Sequence, residues 1–161
     1  MVLAKRNKKP RQTEYQEQVA FFEYVKCAEL FGFEYADKIY IEGKVTLKDT
    51  ITRQPVSSLQ WIHAIRNEGH GDVVRGYRAK RAGLKKGVPD IFLPCPINGF
   101  SGLYIELKRP TLKPARKTAR GGRSDEQIGF GIWAIESGYA YNVAYGWQEA
   151  AETVKSYLGE Q

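Results

Sequence analysis

The chain has 161 residues, 42% hydrophobic and 27% charged, the size of one ordinary globular domain. Its net charge of +7 is unevenly spread: residues 5–11, 75–87 and 109–123 hold 17 of the 25 Lys and Arg residues and no acidic ones, so the rest of the chain is net acidic and a polyanionic partner is expected. No apolar run is long enough to cross a bilayer, the basic start lacks the apolar segment of a secretory signal, and two cysteines, Cys27 and Cys95, fit reduced cytoplasmic thiols better than a disulfide scaffold or a metal finger.

Residues 1–11 read as a flexible basic arm, and 12–161 as a single domain. Thr13 predicts a helix N-cap, with Gln16 completing a capping box, and the helix runs from about Glu14 to about Leu30 before Gly32. Glu14, Gln18, Phe21, Val25 and Ala28 fall on one helical face, which extends an apolar stripe to an acid at its N-terminal end. Residues 32–60 predict an added hairpin, with two short strands around Gly43, suited to dimerisation. Trp61–Ile65 is a candidate strand, and 72–86 a basic helix ended by Gly87.

Beyond Gly87 the pattern sharpens. Val88–Pro94 and Leu103–Lys108 read as two strands of a hairpin around the turn Ile97–Gly102. Residues 110–123 form a mobile basic loop. Ser124 caps a helix, with Gln127 at the capping-box position, that runs to about Ser137. Tyr139–Tyr145 is a third strand and Trp147–Leu158 a final helix. The order predicts an α/β or α+β layered domain, a small mixed central sheet flanked by helices.

The chemistry concentrates on that hairpin. Glu106 and Lys108 sit two apart on one strand and project to one face, while Leu107 turns to the other. Asp90 lies on the partner strand, where its carboxylate can approach that of Glu106. Two convergent carboxylates repel, and a hard divalent cation with oxygen ligands relieves them. A lysine beside such a cation can orient a water and offset charge on a phosphate. Each residue alone has an ordinary explanation: a solvated strand face for Glu106 and Lys108, a turn for Asp90. The apolar flanks, the hairpin spacing and the basic runs argue for the set. His63 and His70, with Asn67 between them, are a weak echo of a His-Asn-His nuclease, and the two histidines are better read as a strand residue and a loop residue. No GxxxxGK[ST] phosphate loop is present.

These motifs together resemble the PD-(D/E)XK nuclease superfamily, and within it the virus-type replication-repair nuclease (VRR-NUC) family. The matching segments are Glu14–Gln18, Gly87–Pro94, Gly102–Pro110, Ser124–Gln127, Gly138-Tyr139 and Gly146–Ala150, within residues 12–31 and 61–158. The resemblance implies a restriction-endonuclease-like core and a Mg²⁺- or Mn²⁺-dependent DNA endonuclease, structure-selective on branched DNA such as Holliday junctions. It further implies a homodimer, in a bacterial cytoplasm or from a bacteriophage in its host. It makes Asp90, Glu106 and Glu14 metal ligands, adds the Leu107 carbonyl, makes Lys108 the catalytic lysine and brings Gln127 to the active site. Glu17 remains the rival of Glu14 on the first helix, and a capping box alone would also explain Gln127. Phosphate contacts are expected from Arg75, Arg78, Lys80, Arg81, Lys85, Lys86, Arg109, Lys113, Arg116, Lys117, Arg120 and Arg123. The alternatives are a nonspecific or sequence-specific duplex nuclease and a non-catalytic DNA-binding module.

Overall fold

The computed structural model describes residues 13–43, 54–65, 77–78, 80–116 and 119–159. Helix α1 spans Glu14–Phe31 and starts as its sequence predicts. The Gln16 amide donates to Thr13 Oγ1 at 3.2 Å, and the Thr13 amide donates to Gln16 Oε1 at 2.9 Å. Gly32 ends it at φ +94°, where a side chain would meet the Gln54 carbonyl oxygen at 2.6 Å.

The segment after Gly32 departs from the expected hairpin. Residues Phe33–Asp37 form a short helix, α2, and Lys38–Glu42 continue it as one turn of π-helix. Phe33 and Ala36 are buried, and the Tyr40 ring meets Tyr24 and Trp147 edge-on at 6.1 and 6.5 Å. Docking of these side chains overrides the β-propensity of Ile39-Tyr40-Ile41. Residues 44–53 lie outside the described residues. Ser57–Trp61 is a 3₁₀ turn, so the strand expected over 61–65 shrinks to β1, His63–Ala64. The helix expected over 72–86 is helical at residues 77, 78, 80 and 81, and gives way to a turn at Ala82-Gly83 rather than at Gly87.

Strands β2 (Ile91–Leu93) and β3 (Leu103–Lys108) form the antiparallel hairpin. Helix α3 (Asp125–Glu136) then crosses over to β4 (Ala140–Tyr145), which pairs parallel to β3. The sheet order is β1-β2-β3-β4. Helix α4 (Trp147–Leu158) closes the fold, with Ala150, Ala151, Val154 and Tyr157 buried at helical spacing.

The sheet separates two layers. Leu103, Ile105 and Leu107 join the main core with Phe21, Tyr24 and Val25 of α1 and Val154 of α4. Tyr104 faces the other way, its ring 4.3 Å from Phe92 and 5.1 Å from Phe130 of α3. Strand β3 is thus covered on both faces, and Glu106 and Lys108, which alternate with the core residues, are buried with it. The result is an α+β layered domain with a small mixed sheet, as expected.

Candidate active site

Asp90 precedes β2 directly. Gly87, at φ +83°, passes so close to α3 that a side chain would meet the backbone of Glu126 at 2.6 Å. Pro89, between this contact and Asp90, is buried. Asp90 Oδ2 accepts the Leu107 amide at 2.8 Å, extending the strand pairing with a side chain. Its backbone carbonyl accepts the Ile65 amide at 2.7 Å.

Glu106 has no solvent exposure. Its Oε1 accepts from Lys108 Nζ at 2.8 Å and from Gln127 Nε2 at 2.5 Å. Oε2 is buried with no hydrogen-bond partner. Burial, then the charge of Asp90, pushes the Glu106 carboxyl up to about 7 against the opposing pull of Lys108. Burial alone would lower the Lys108 ammonium. The hydrogen bond to Glu106 and the charges of Glu106, Glu14 and Asp90 outweigh it and raise the group.

Gln127 serves two purposes. Its carbonyl oxygen accepts the Ser124 amide at 2.9 Å, closing the capping box of α3, while its amide nitrogen donates to Glu106. The capping role and the position beside the site are therefore not alternatives.

The two acids of α1 separate. Glu14 is exposed, and its charge acts on both Glu106 and Lys108. Glu17 is buried and points elsewhere: Oε2 accepts the Trp147 amide at the start of α4 at 2.9 Å. The core stripe of α1 is Glu17, Phe21, Tyr24, Val25 and Ala28, so the expectation that Glu14 continues it is corrected. Glu14 lies one turn back, rotated toward the carboxylates.

Arg109 follows Lys108 directly. Arg120 pairs with Asp125 at 2.7 Å, and Lys86 lies close enough to Glu126 to act on its carboxyl, both at the first turn of α3. Arg78, Lys80, Arg81, Lys85, Lys86, Lys113, Arg116 and Arg120 are exposed. Arg75, Lys117, Asn67, His70 and residues 5–11 lie outside the described residues.

Sequence reasoning missed Tyr141. It is in register with Tyr104 on β4, hence on the Glu106 face, and its hydroxyl is buried beside the Arg123 guanidinium. Burial and then the charge of Glu106 push its phenol up to about 12, with Arg123 opposing. The alternation of Tyr141, Val143 and Tyr145 was visible, but not which face α3 would cover.

The donors suit a hard cation. They are carboxylate oxygens, and Glu106 presents one that is buried and unsatisfied. Among the described residues no three His, Cys, Asp or Glu side chains close into a ready cage. Mg²⁺ characteristically binds through one or two carboxylates and keeps several waters, which matches Asp90 with Glu106.

A solved structure described as a "VRR_NUC domain protein" superposes on this chain with a TM-score of 0.59, covering 94% of this chain and 92% of that one at 17% sequence identity. The chain has a VRR-NUC-like fold. No family model matches the sequence. No curated protein matches it either. In this VRR-NUC-like fold the sheet brings Asp90, Glu106 and Lys108 together, and α3 adds Gln127.

Proposed function

We propose that this protein is a metal-dependent DNA endonuclease. The observation that carries the reading is Glu106, fully buried, with one oxygen on Lys108 and the other unsatisfied, next to Asp90 at the entry of the neighbouring strand. A buried charged set of this kind adds little to stability, and carboxyls perturbed by burial and a neighbouring charge cluster at functional sites.

Asp90 and Glu106 would hold Mg²⁺ or Mn²⁺, with Glu14 and the Leu107 carbonyl as further donors. The cation supplies Lewis acidity at a phosphate oxygen. Lys108 keeps its proton beside Glu106 and can orient the attacking water and face the growing negative charge. Gln127 holds Glu106 in one rotamer. The basic runs contact phosphates, which carry no sequence code, so the reading extends to structure-selective cleavage of branched DNA. It extends also to a symmetric homodimer whose two sites make paired cuts.

The test is cleavage of labelled four-way junction, flap and linear duplex DNA with Mg²⁺, Mn²⁺ or EDTA. Metal-dependent cleavage of branched DNA, lost in the Asp90→Ala/Lys108→Ala double variant, is expected. If wild type and double variant behave alike, the reading is wrong. Equal rates on linear duplex would replace branched DNA by duplex as the substrate, and DNA binding without cleavage would mark a binding module.

A further inference from the structure

The basic loop after β3 does not lie flat against the domain. With the edge strand β4 and the start of α4 it encloses a cleft of about 510 Å³, within the range of small-ligand sites. Two of its described glycines pack closely on their neighbours. Gly121 passes so close over the Tyr145 hydroxyl that no side chain would fit there, and Gly122 packs on Leu112.

Tyr141 and Tyr145 of β4 line the cleft. They are in register with Tyr104 and Lys108 of β3, so they stand on the sheet face that carries Glu106. Tyr141 belongs to both regions, since it lines the cleft and its phenol feels the charges of Glu106 and Asp90. The cleft therefore adjoins the carboxylate centre.

Its charge is specific. Lys113 is paired with Glu149 at 3.0 Å. Arg123 has no carboxylate partner among the described residues: its Nε donates to the Arg120 carbonyl at 2.9 Å, and its charge acts on Tyr141. The cleft thus offers one uncompensated cation and an aromatic wall, within reach of a strand whose phosphate lies at Glu106 and Lys108. A base held in a duplex stack cannot enter such a space, whereas an unpaired base can stack on aromatic side chains.

We propose that this cleft takes one unpaired nucleotide of the DNA strand, adjacent to the scissile phosphate, with its phosphate on Arg123 and its base against Tyr145. The proposal rests on the nuclease reading above and deepens it, because it supplies a physical basis for preferring branched over continuous DNA.

The test uses the full chain in EDTA, so that binding is read without cleavage. One DNA carries 2-aminopurine at a single unpaired position beside a branch, and a control carries it within a continuous duplex. Wild type is expected to change the emission of the unpaired probe and to bind that DNA about tenfold more tightly than the duplex, the scale of one base–aromatic stack. Arg123→Gln should abolish this preference. Arg116→Gln removes the same charge from an exposed site of the same loop and should weaken both DNAs equally, by phosphate attraction alone. The proposal is overturned if the unpaired probe is unchanged in the wild-type complex, or if both variants lose affinity for both DNAs alike. Failure of wild type to bind any DNA would overturn the nuclease reading as well. Binding without discrimination would overturn the cleft alone.

Discussion

Replacing Glu14 and Glu17 separately by alanine tests the division of labour on α1. Glu17 is almost fully buried, and its carboxylate caps the first amide of α4, at Trp147. Removing a charged acceptor from a buried donor costs about 1.5–3 kcal/mol, and the lost Cγ methylene adds about 0.8 kcal/mol. Part is returned, because Glu17 Oε1 is buried with no partner and its desolvation no longer opposes folding. The net expectation is a loss of about 2 kcal/mol, which in a domain of this size lowers Tm by about 4–8 °C. Glu17→Gln retains an acceptor and should lose about half as much. Glu14 is exposed and makes no packing contact of this kind, so Glu14→Ala should leave Tm within about 2 °C. Its charge acts on Glu106 and Lys108, so the same variant should lose Mg²⁺-dependent cleavage by about tenfold or more. Thermal denaturation and single-turnover cleavage of the two proteins give both numbers. An unchanged Tm for Glu17→Ala, or a full loss of folding with Glu14→Ala, would refute the assignment.

Lys108→Met should lower the cleavage rate by about a hundredfold or more, with DNA affinity in EDTA within about threefold of wild type; a proportionate loss of affinity would make Lys108 a phosphate anchor instead. Mg²⁺ at a hundredfold excess over its Kd should stabilise wild type by about 2.7 kcal/mol, and Asp90→Asn should abolish most of that shift in a thermal scan. In Gly131→Ala the new methyl would lie 2.7 Å from the Tyr141 ring. Overpacking of this kind costs about 1–3 kcal/mol, and displacement of Tyr141 and α3 should slow cleavage more than it lowers Tm. Ser124→Ala removes an N-cap worth about 1 kcal/mol but keeps the backbone amide that donates to Gln127 Oε1, so Tm should fall while cleavage changes little; a large loss of cleavage would show that the cap itself positions Gln127 on Glu106.

Local signals were the legible part of this protein. Thr13 with Gln16 and Ser124 with Gln127 marked two helix starts that the structure reproduces hydrogen bond for hydrogen bond. Strand β3 and helix α4 begin and end where alternation and the flanking glycines put them. Such features depend on neighbours a few residues away, so the sequence carries them whole. The segment 33–42 went the other way. Its β-branched and aromatic residues suited a strand, but the helical path buries Phe33 and Ala36 and sets Tyr40 against Tyr24 of α1 and Trp147 of α4.

The amino-acid sequence by itself determined which chemical groups are available near β2 and β3: Asp90, then Glu106 and Lys108 on one face of one strand. Tertiary structure decided what those groups experience. It set the rotation of α1, which turns Glu17 into the core and leaves Glu14 toward the carboxylates, although three residues separate them and both looked eligible. It laid α3 over the sheet, which buries Glu106, brings Gln127 onto it and encloses the Tyr141 hydroxyl. Helix rotation and face coverage are properties of docking between distant segments, and no local pattern encodes them.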